Sequence, residues 1–243
     1  MRIPRIYVDL PLEPGAALEL PSAQARHLTQ VLRLPPDAPL VLFNGDGSDY
    51  PAHLTRADRG ATRVRVGTPG APEPIAPLDI HLALGVSKGE RMDYALQKSV
   101  ELGVNRMTPL FTERSQVRLS GPRLERRLDH WRGILVGACE QSGRRRLPHL
   151  ATAASYADWL IDHVGGGLLL DPGAARPLTA LPAPAANITL LIGPEGGLSP
   201  RERASARDRG FEGVRLGPRI LRTETAPLAA IAVIQALWGD LGD

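Results

Sequence analysis

The chain has 243 residues, a length that allows one large domain or two modest ones. Its formal net charge is +3, and 43% of its residues are hydrophobic, which is enough for a sizeable core. No apolar run approaches the roughly 20 residues of a membrane-spanning helix, and the stretch from Met1 to Tyr7 lacks the apolar core of a signal peptide. Cys139 is the only cysteine, which excludes a disulfide framework. We expect a cytoplasmic protein without a membrane segment.

The first 70 residues have the pattern of a small β domain. Residues 40–43 run into Asn44-Gly45-Asp46-Gly47, a hairpin signal, and residues 50–54 and 62–66 alternate like half-buried strands. One short helix is expected from Ser22 to Leu32, with Ser22 as its N-cap. Residues 67–77 contain four prolines and predict a linker without regular structure.

Beyond residue 78, strands and helices alternate. Apolar runs predict strands at 78–86, 104–111, 168–170, 188–192 and 213–216. Helices are predicted over 89–102, 122–143, 199–210 and 226–238. The first is expected to stop at Gly103, and the third to begin with a capping box at Ser199. Near-continuous apolar strands that alternate with helices are typical of a mostly parallel sheet covered on both faces.

Two glycine–proline turns follow predicted strands. They are LLIGPEGGLSP at 190–200 and LGPRILRTETA at 216–226. Ligands of open α/β sheets bind outside the carboxyl ends of the strands, so the turns indicate two walls of one pocket. Neither a Walker A loop nor a dinucleotide fingerprint occurs in the chain. Gly196-Gly197 lets the backbone approach a flat ligand, or simply forms a tight turn.

Charged residues in the second turn have two interpretations. Thr225 as an N-cap and Glu224 beside a helix N-terminus are explained by capping alone. Arg222 is not, because a cation at a helix N-terminus is mildly unfavourable unless it faces an anionic or electron-rich ligand.

Arginine dominates the basic residues. Lysine occurs only at Lys88 and Lys98, so the rest of the 29 basic residues are arginine, the better phosphate ligand. The cluster at 143–146 is either a phosphate-binding patch or an ordinary complement to a helix C-terminus. The six histidines are dispersed without an H-x-x-x-H pair, so no metal site is expected.

Residues 191–197 and 216–226 together resemble the signature of the 16S ribosomal RNA uracil-N3 methyltransferases, which belong to the SPOUT superfamily. Further matching blocks lie at 26–33, 42–45, 87–92, 97–104, 112–115 and 138–144, so the resemblance covers the whole chain. Asn44 and Pro227 depart from the family pattern, and neither change threatens the pocket, since proline fits a first helical turn.

The resemblance implies the following fold and activity. The fold would be an α/β, mostly parallel SPOUT sheet with a C-terminal deep trefoil knot, preceded by a PUA-like RNA-binding β-barrel. The domains would be 1–70 for the barrel, 71–77 for the linker and 78–243 for the methyltransferase. The enzyme would be a homodimer that uses S-adenosylmethionine, yields S-adenosylhomocysteine and needs no metal. Its substrate would be 16S rRNA, free or within the 30S subunit.

The resemblance also implies site residues. Arg222 would stabilise negative charge on the base carbonyls, and Glu195 or Glu224 would accept the N3 proton or orient the ring. The cofactor-binding residues would be Leu170, Asp171, Pro172, Leu191, Ile192, Gly193, Pro194, Gly196, Gly197, Leu216, Gly217, Ile220, Leu221 and Thr225. The RNA-binding residues would be Arg26, His27, Arg33, Arg114, Glu140, Gln141, Ser142, Arg144 and Arg146.

Two other functional classes stay open at the level of sequence. One is a non-catalytic rRNA-binding assembly factor, which would bind RNA but not S-adenosylmethionine. The other is a nucleotide-dependent metabolic enzyme, which the missing Walker and dinucleotide motifs disfavour.

Overall fold

The computed structural model describes residues 3–57 and 62–242, without the side chains of residues 56 and 57. By its internal contacts the chain forms two compact units. Unit 1 comprises Met1–Pro74 and Val136–Leu147, and unit 2 comprises Ile75–Leu135 and Pro148–Asp243. The predicted domain boundaries stay a prediction. Residues 1–2, 58–61 and 243 of those predicted domains lie outside the described residues.

Unit 1 contains a five-stranded sheet with strand order β1-β3-β4-β5-β2. The strands are β1 (Arg5–Tyr7), β2 (Ala17–Glu19), β3 (Pro39–Phe43), β4 (Tyr50–Ala57) and β5 (Thr62–Val66). The pairs are antiparallel except for β1 with β3. Alternate residues of β5 are buried, as expected for strands with one face on a core. The hairpin predicted around Asn44–Gly47 is confirmed by the antiparallel pairing of β3 with β4.

The predicted helix from Ser22 to Leu32 is present in two parts. The α-helix α1 spans Ser22–Arg26, and a π-helical turn follows over His27–Val31. The prediction that Ser22 is the N-cap is wrong, because extended Pro21 takes that position and makes no side-chain cap. Ser22 is therefore the first helical residue. Residues 67–77 have no regular secondary structure, as predicted.

The remaining part of unit 1 is the end of a long helix, α3 (Gly121–Ser142), with the residues that follow it. Arg5 Nη1 donates to the Cys139 carbonyl oxygen at 2.7 Å, and Arg5 Nη2 donates to Asp49 at 2.7 Å. Arg145 Nε also donates to Asp49, at 3.1 Å. Cys139 is fully buried, and burial raises the pKa of its thiol to about 11.

Unit 2 is built on a parallel sheet with strand order β12-β10-β11-β6-β7-β8, and β9 pairs with β7. The strands are β6 (Asp79–Gly85), β7 (Arg106–Phe111), β8 (His149–Leu150), β9 (Ala154–Ser155), β10 (Gly167–Leu170), β11 (Asn187–Ile192) and β12 (Phe211–Val214). Every pair in this sheet is parallel. The predicted parallel α/β sheet is thereby confirmed; the trefoil knot stays a prediction.

Helices connect the strands of unit 2. Besides the start of α3, they are α2 (Glu90–Glu101), α4 (Tyr156–Asp162), α5 (Pro200–Asp208) and α6 (Thr225–Trp238), with a 3-10 turn at Leu178–Ala180. Gly103 follows α2 with a φ of +89°, the left-handed stop that the sequence predicts. The α2 and α6 helices are joined where buried Gln235 donates to the Leu102 carbonyl oxygen at 2.9 Å.

Two details of unit 2 differ from prediction. The strand expected at 213–216 is β12 at Phe211–Val214, and Arg215 beyond it forms only an isolated bridge with Pro177. The sequence analysis missed α4, although its start carries a recognisable cap. The Ser155 side chain there accepts a hydrogen bond from the Asp158 backbone N–H at 3.1 Å.

Candidate functional site

A cavity of about 570 Å³ lies in unit 2 at the carboxyl ends of β10, β11 and β12. These strands are neighbours in the sheet, so the loops that follow them meet at one edge. Both glycine–proline turns line the cavity, as the sequence predicts for two walls of one pocket. Apolar side chains from the strand ends, Leu169, Leu170 and Ile192, supply part of its wall.

The loop after β11 is built from close backbone contacts. A Cβ on Gly193 would stand 2.7 Å from the Leu198 nitrogen, so only glycine fits there. The Gly197 N–H donates to the Pro194 carbonyl oxygen at 2.7 Å, and Gly197 has a φ of +64°. The loop ends at the capping box predicted for Ser199, which is present. Its shape is therefore set largely by local sequence.

Glu202 ties this loop to the turn that follows β7. Its carboxylate accepts from the Ser199 N–H at 2.8 Å through one oxygen and from the Glu113 N–H at 2.8 Å through the other. The Glu202 residue is 3% exposed. The next residue of the turn, Arg114, lines the cavity and donates from Nη1 to the Gly196 carbonyl oxygen at 3.0 Å. Glu202 therefore fixes two walls of the cavity at once.

Asp171 forms the corner after β10. Its carboxylate accepts from the Gly173 N–H at 3.0 Å and from Arg207 Nη2 at 2.9 Å. Arg203 Nε lies 3.9 Å from the same carboxylate. These contacts hold the Asp171–Gly173 turn, and they occupy the carboxylate within the fold.

The loop after β12 is anchored through Thr223. Its hydroxyl lies 3.0 Å from the hydroxyl of Ser87, which follows β6, and both residues are buried. The prediction that Thr225 caps α6 is wrong: Glu224 holds the N-cap position without a side-chain cap, and Thr225 is the first helical residue. Since the Glu224 carboxylate does not serve the helix, it is left to face the cavity.

Three charged residues meet at the cavity from separate elements. Arg91, in the first turn of α2, lies with Nη1 3.6 Å from Glu195 Oε1 and with Nε 4.0 Å from Glu224 Oε2. Glu195 Oε1 also accepts from the Lys88 N–H at 2.9 Å. The Oε2 atoms of both glutamates are buried without a hydrogen-bond partner among the described residues. Buried, unpaired carboxylate oxygens are costly, so this cluster suits a ligand that brings hydrogen-bond donors.

Most of the predicted cofactor and catalytic residues line this one cavity. They are Leu170, Asp171, Pro172, Ile192, Gly193, Pro194, Glu195, Gly196, Gly197, Leu216, Gly217, Ile220, Leu221, Arg222 and Glu224. Leu191 and Thr225 are not in the lining: Leu191 is fully buried inside β11, and Thr225 is exposed on α6. Their roles stay predictions.

Further lining residues were not predicted individually as cofactor-binding or catalytic, although several of them stand within the two turns predicted as walls of the pocket. They are Arg91, Arg114, Leu169, Leu198, Arg203, Arg219, Thr223 and Ala226. Arg91 was missed although it stands in a block that matches the family, because no local pattern connects the start of α2 with turns more than a hundred residues away. Arg114, which is predicted to bind RNA, contacts the glycine turn at this cavity, and its RNA-binding role stays a prediction.

Three predicted RNA-binding residues lie together in sequence within unit 1. Arg26, His27 and Arg33 are all exposed around the π-helical turn. Arg33 has a φ of +51°, which is unusual for a residue with a side chain. Exposed cations of this kind suit phosphate contacts, and the assignment stays a prediction.

The predicted RNA-binding residues at the end of α3 make more hydrogen bonds within unit 1 than Arg26, His27 and Arg33 do. The Glu140 carboxylate accepts from the Tyr7 N–H at 2.9 Å, and burial raises the pKa of that carboxyl. Arg146 Nη1 donates to the Asp46 carbonyl oxygen at 3.3 Å, and the Arg144 carbonyl oxygen accepts from Arg5. Gln141 and Ser142 are exposed. Glu140 therefore has a structural contact that competes with any role in reading a base.

Neither a metal cluster nor a membrane span is found in the part of the chain that the structure describes. No group of three or more His, Cys, Asp or Glu side chains there is placed to hold a metal ion. No described helix is both long enough and apolar enough to cross a bilayer.

Two family models match the chain. An RNA methyltransferase domain matches residues 74–235, which include every residue of the cavity. An RNA methyltransferase PUA domain matches residues 20–66, which include most of the strands of unit 1.

Individual relatives agree with the family models over the full length. A curated protein of Buchnera aphidicola, named ribosomal RNA small subunit methyltransferase E, is 33% identical over 99% of this chain and 98% of its own length. The crystal structure of a ribosomal RNA small subunit methyltransferase E from Neisseria gonorrhoeae, bound to S-adenosyl methionine, is 38% identical, with a TM-score of 0.92 over 99% of this chain and all of that one. A Legionella pneumophila protein solved with bound SAM is 39% identical, with a TM-score of 0.95 over 99% of this chain and all of that one.

Proposed function

Because the chain belongs to the RNA methyltransferase family whose curated members are named ribosomal RNA small subunit methyltransferase E, we propose that it methylates N3 of a uridine in 16S rRNA. It is an S-adenosylmethionine-dependent rRNA methyltransferase. The proposed refinement is the target atom, N3 of a uridine, and its location in 16S rRNA. One observation carries the refinement: Arg222, Glu195 and Glu224 line the same cavity at the strand ends. An acidic proton acceptor beside a cation is what methylation of a protonated ring nitrogen requires.

The residues present at the cavity fit S-adenosylmethionine. Its volume of about 570 Å³ is in the usual range of small-molecule sites. Apolar strand ends and close-packed glycine turns offer surface and backbone groups to an adenosine, in the segments 170–172, 191–197 and 216–225. The Oε2 atoms of Glu195 and Glu224, which have no hydrogen-bond partner among the described residues, offer acceptors to donors on either substrate. When bound, S-adenosylmethionine supplies a methyl group attached to a positively charged sulfur.

The residues of the chain then serve three tasks. The two loops hold the base in line with the methyl donor, and positioning of this kind supplies much of a methyl-transfer rate. The Arg222 side chain is exposed, and its guanidinium makes no hydrogen bond or ion pair with the rest of the described chain, so it is available to stabilise negative charge on the uracil carbonyls. Glu195 or Glu224 accepts the N3 proton, since uracil is a poor nucleophile until that proton leaves.

Unit 1 is proposed to bind the RNA outside the target base. Support comes from the PUA-domain match and from the exposed Arg26, His27 and Arg33. Phosphate contacts of this kind hold an RNA in register without reading its sequence. The boundaries proposed for the functional domains are 1–70 and 78–243, with a linker at 71–77.

Three further features belong to the proposal. The protein acts as a homodimer, which would cover the half-exposed Tyr94, Leu237 and Leu241 of unit 2. It acts in the cytoplasm on 16S rRNA or the 30S subunit, and its chain is knotted, both as the family resemblance implies. A light-scattering mass at the value of two chains would support the dimer, and a monomeric mass at micromolar concentration would contradict it.

The deciding experiment is the methylation of rRNA from a bacterial strain that lacks this enzyme. The purified protein and S-adenosylmethionine are added, and the modified nucleotide is mapped by mass spectrometry. We expect one 3-methyluridine in 16S rRNA. Methylation of a ribose hydroxyl, of another base or of 23S rRNA would contradict the proposal. Arg222→Ala is expected to lower the rate by about 100-fold or more, while Arg201→Ala on α5, outside the cavity, is not.

A further inference from the structure

Arg91 is the residue of the cavity whose surroundings are least explained by the fold. It lies between two carboxylates, 3.6 Å from Glu195 and 4.0 Å from Glu224, and its side chain remains 48% exposed. Both glutamates have a buried Oε2 atom without a hydrogen-bond partner in the described part of the chain. The Arg91 guanidinium offers hydrogen-bond donors, and the two carboxylate oxygens offer acceptors. Together they are complementary to a ligand that has an acceptor beside a donor.

The two glutamates are held differently. Glu195 Oε1 accepts from the Lys88 backbone N–H at 2.9 Å, so one end of its carboxylate is fixed to the loop that follows β6. Glu224 makes no hydrogen bond with the described residues, and its position at the N-cap of α6 is not used for capping. Glu195 is therefore built to hold a neighbour in place, and Glu224 is left to interact with a ligand.

The location of the cluster favours the base over the cofactor as that ligand. Arg91 stands at the start of α2, just beyond the carboxyl end of β6. In the strand order β12-β10-β11-β6, Arg91 is at the edge of the cavity away from β10 and β12. Glu195 and Glu224 belong to two of the segments proposed for S-adenosylmethionine, and their carboxylates face Arg91 at this edge. The opposite side of the cavity is thus left for the base to enter.

We propose that Arg91 and Glu224 together recognise the O4–N3–H edge of uracil, with Glu195 as the positioning residue that holds Arg91; this rests on the proposed function. Arg91 donates to the carbonyl oxygen O4, and Glu224 Oε2 accepts from N3–H. Cytosine presents the reverse pattern, an amino donor beside a ring nitrogen acceptor, and would leave both protein groups unpaired. The cluster therefore selects uracil as well as activating it.

The proton transfer follows from the same contact. Glu224 Oε2 forms an O–H bond as the N3–H bond breaks, and the lone pair stays on N3. That lone pair forms the bond to the methyl carbon while the electron pair of the broken carbon–sulfur bond stays on sulfur. The proton on Glu224 is afterwards released to water. Negative charge that develops on O4 meanwhile lies against the Arg91 guanidinium.

The test compares Arg91→Ala, Arg91→Lys, Glu224→Gln and Glu195→Gln with the wild-type enzyme. Methylation of small-subunit rRNA and the calorimetric Kd for S-adenosylmethionine are both measured. We expect Arg91→Ala and Glu224→Gln to lower kcat/KM by about 100-fold or more, with less than about a threefold change in the Kd. Arg91→Lys is expected to recover part of the rate, and Glu195→Gln to lose less than Glu224→Gln.

The matched control is Arg106→Ala. Arg106 is 50% exposed and is paired with the Asp79 carboxylate, so it is an arginine in a similar setting outside the cavity. We expect it to retain the wild-type rate and Kd. Thermal unfolding of each variant shows whether it is folded, and Arg91 is exposed enough that its replacement is tolerated.

Two results would overturn the inference. A Kd for S-adenosylmethionine that weakens in proportion to the lost rate would place Arg91 and Glu224 on the cofactor. A rate that depends on Glu195 more than on Glu224 would reverse their roles. A wild-type product other than 3-methyluridine would overturn the proposed function itself, whereas normal 3-methyluridine formation by Arg91→Ala would overturn this inference alone.

Discussion

The backbone of Gly85 lies against that of Pro194 so closely that a Cβ on Gly85 would stand 2.4 Å from the Pro194 nitrogen. Gly85 ends β6, and Pro194 begins the glycine turn after the neighbouring strand β11. The missing side chain thus lets the turn lie directly over the end of the sheet, where it lines the cavity. The shape of the site depends on this approach.

Gly85→Ala is therefore expected to damage the site. The new Cβ would clash with backbone atoms, which cannot move aside as the end of a flexible side chain can. Overpacking of this kind lowers the free energy of unfolding by about 1–3 kcal/mol. Displacement of the turn is expected to weaken S-adenosylmethionine binding by about tenfold or more, as measured by calorimetry. Gly133→Ala is the matched control, because Gly133 is an exposed residue of α3 with nothing within 4 Å of an added Cβ. An unchanged affinity in Gly85→Ala would contradict this account of the turn.

Glu202→Ala is expected to destabilise unit 2. It removes the acceptor for two backbone N–H groups, those of Ser199 and Glu113, and leaves them without the partner that holds their loops. We expect the free energy of unfolding to fall by about 3 kcal/mol in a denaturant titration, and by less in Glu202→Gln. Exposed Glu125 on α3 provides the control, since Glu125→Ala is expected to change stability by less than about 0.5 kcal/mol. Equal effects of Glu202→Ala and Glu125→Ala would show that the hydrogen bonds of the Glu202 carboxylate do not stabilise unit 2.

Stability is expected to fall with acid because of His81. Burial, assisted by Arg106, lowers the pKa of this imidazole from 6.5 to about 4, and its Nε2 lies 2.9 Å from the Thr108 hydroxyl. The folded protein therefore binds the proton less readily than the unfolded chain. The free energy of unfolding is therefore unaffected by the titration of His81 above pH 6.5. It falls as the pH drops from 6.5 to about 4, by at most about 3 kcal/mol.

Denaturant titrations at several pH values test this account. The difference in unfolding free energy between wild type and His81→Gln is expected to shrink over that interval. His53→Gln, which replaces an exposed histidine of unit 1, is expected to keep the wild-type pH dependence. Parallel stability curves for wild type and His81→Gln would assign the acid sensitivity to other groups.

Arg33→Ala is expected to weaken RNA binding evenly across sequences. Its side chain is exposed and is proposed to contact a phosphate. Its loss should therefore make the negative slope of log binding constant against log salt concentration shallower by about one. Arg145→Ala serves as the comparison in the same unit, because Arg145 is already paired with Asp49 at 3.1 Å. We expect Arg145→Ala to lower thermal stability with little change in the salt slope. An unchanged slope for Arg33→Ala would remove it from the RNA contacts.

Local features of the fold could be predicted because their causes are local. The capping box at Ser199 and Glu202 and the left-handed stop at Gly103 each depend on a few neighbouring residues. The same holds for the parallel strands, whose apolar runs end at polar turns. Where two neighbouring residues compete for one position, as at Pro21 and Ser22 or Glu224 and Thr225, the sequence analysis chose the wrong cap.

The sequence by itself determined the alternating strands and helices, the two glycine–proline turns and the family to which they belong. Only the tertiary structure decided that Arg91 shares the cavity with Glu195 and Glu224. Arg91, Glu195 and Glu224 belong to α2, the loop after β11 and the start of α6. The strand order of the sheet brings Arg91 within 4.0 Å of each glutamate. The tertiary structure likewise shows that Glu140 accepts a hydrogen bond from the Tyr7 N–H and that Arg114 donates one to the Gly196 carbonyl oxygen. Such contacts depend on the packing of distant segments, which no local pattern of residues records.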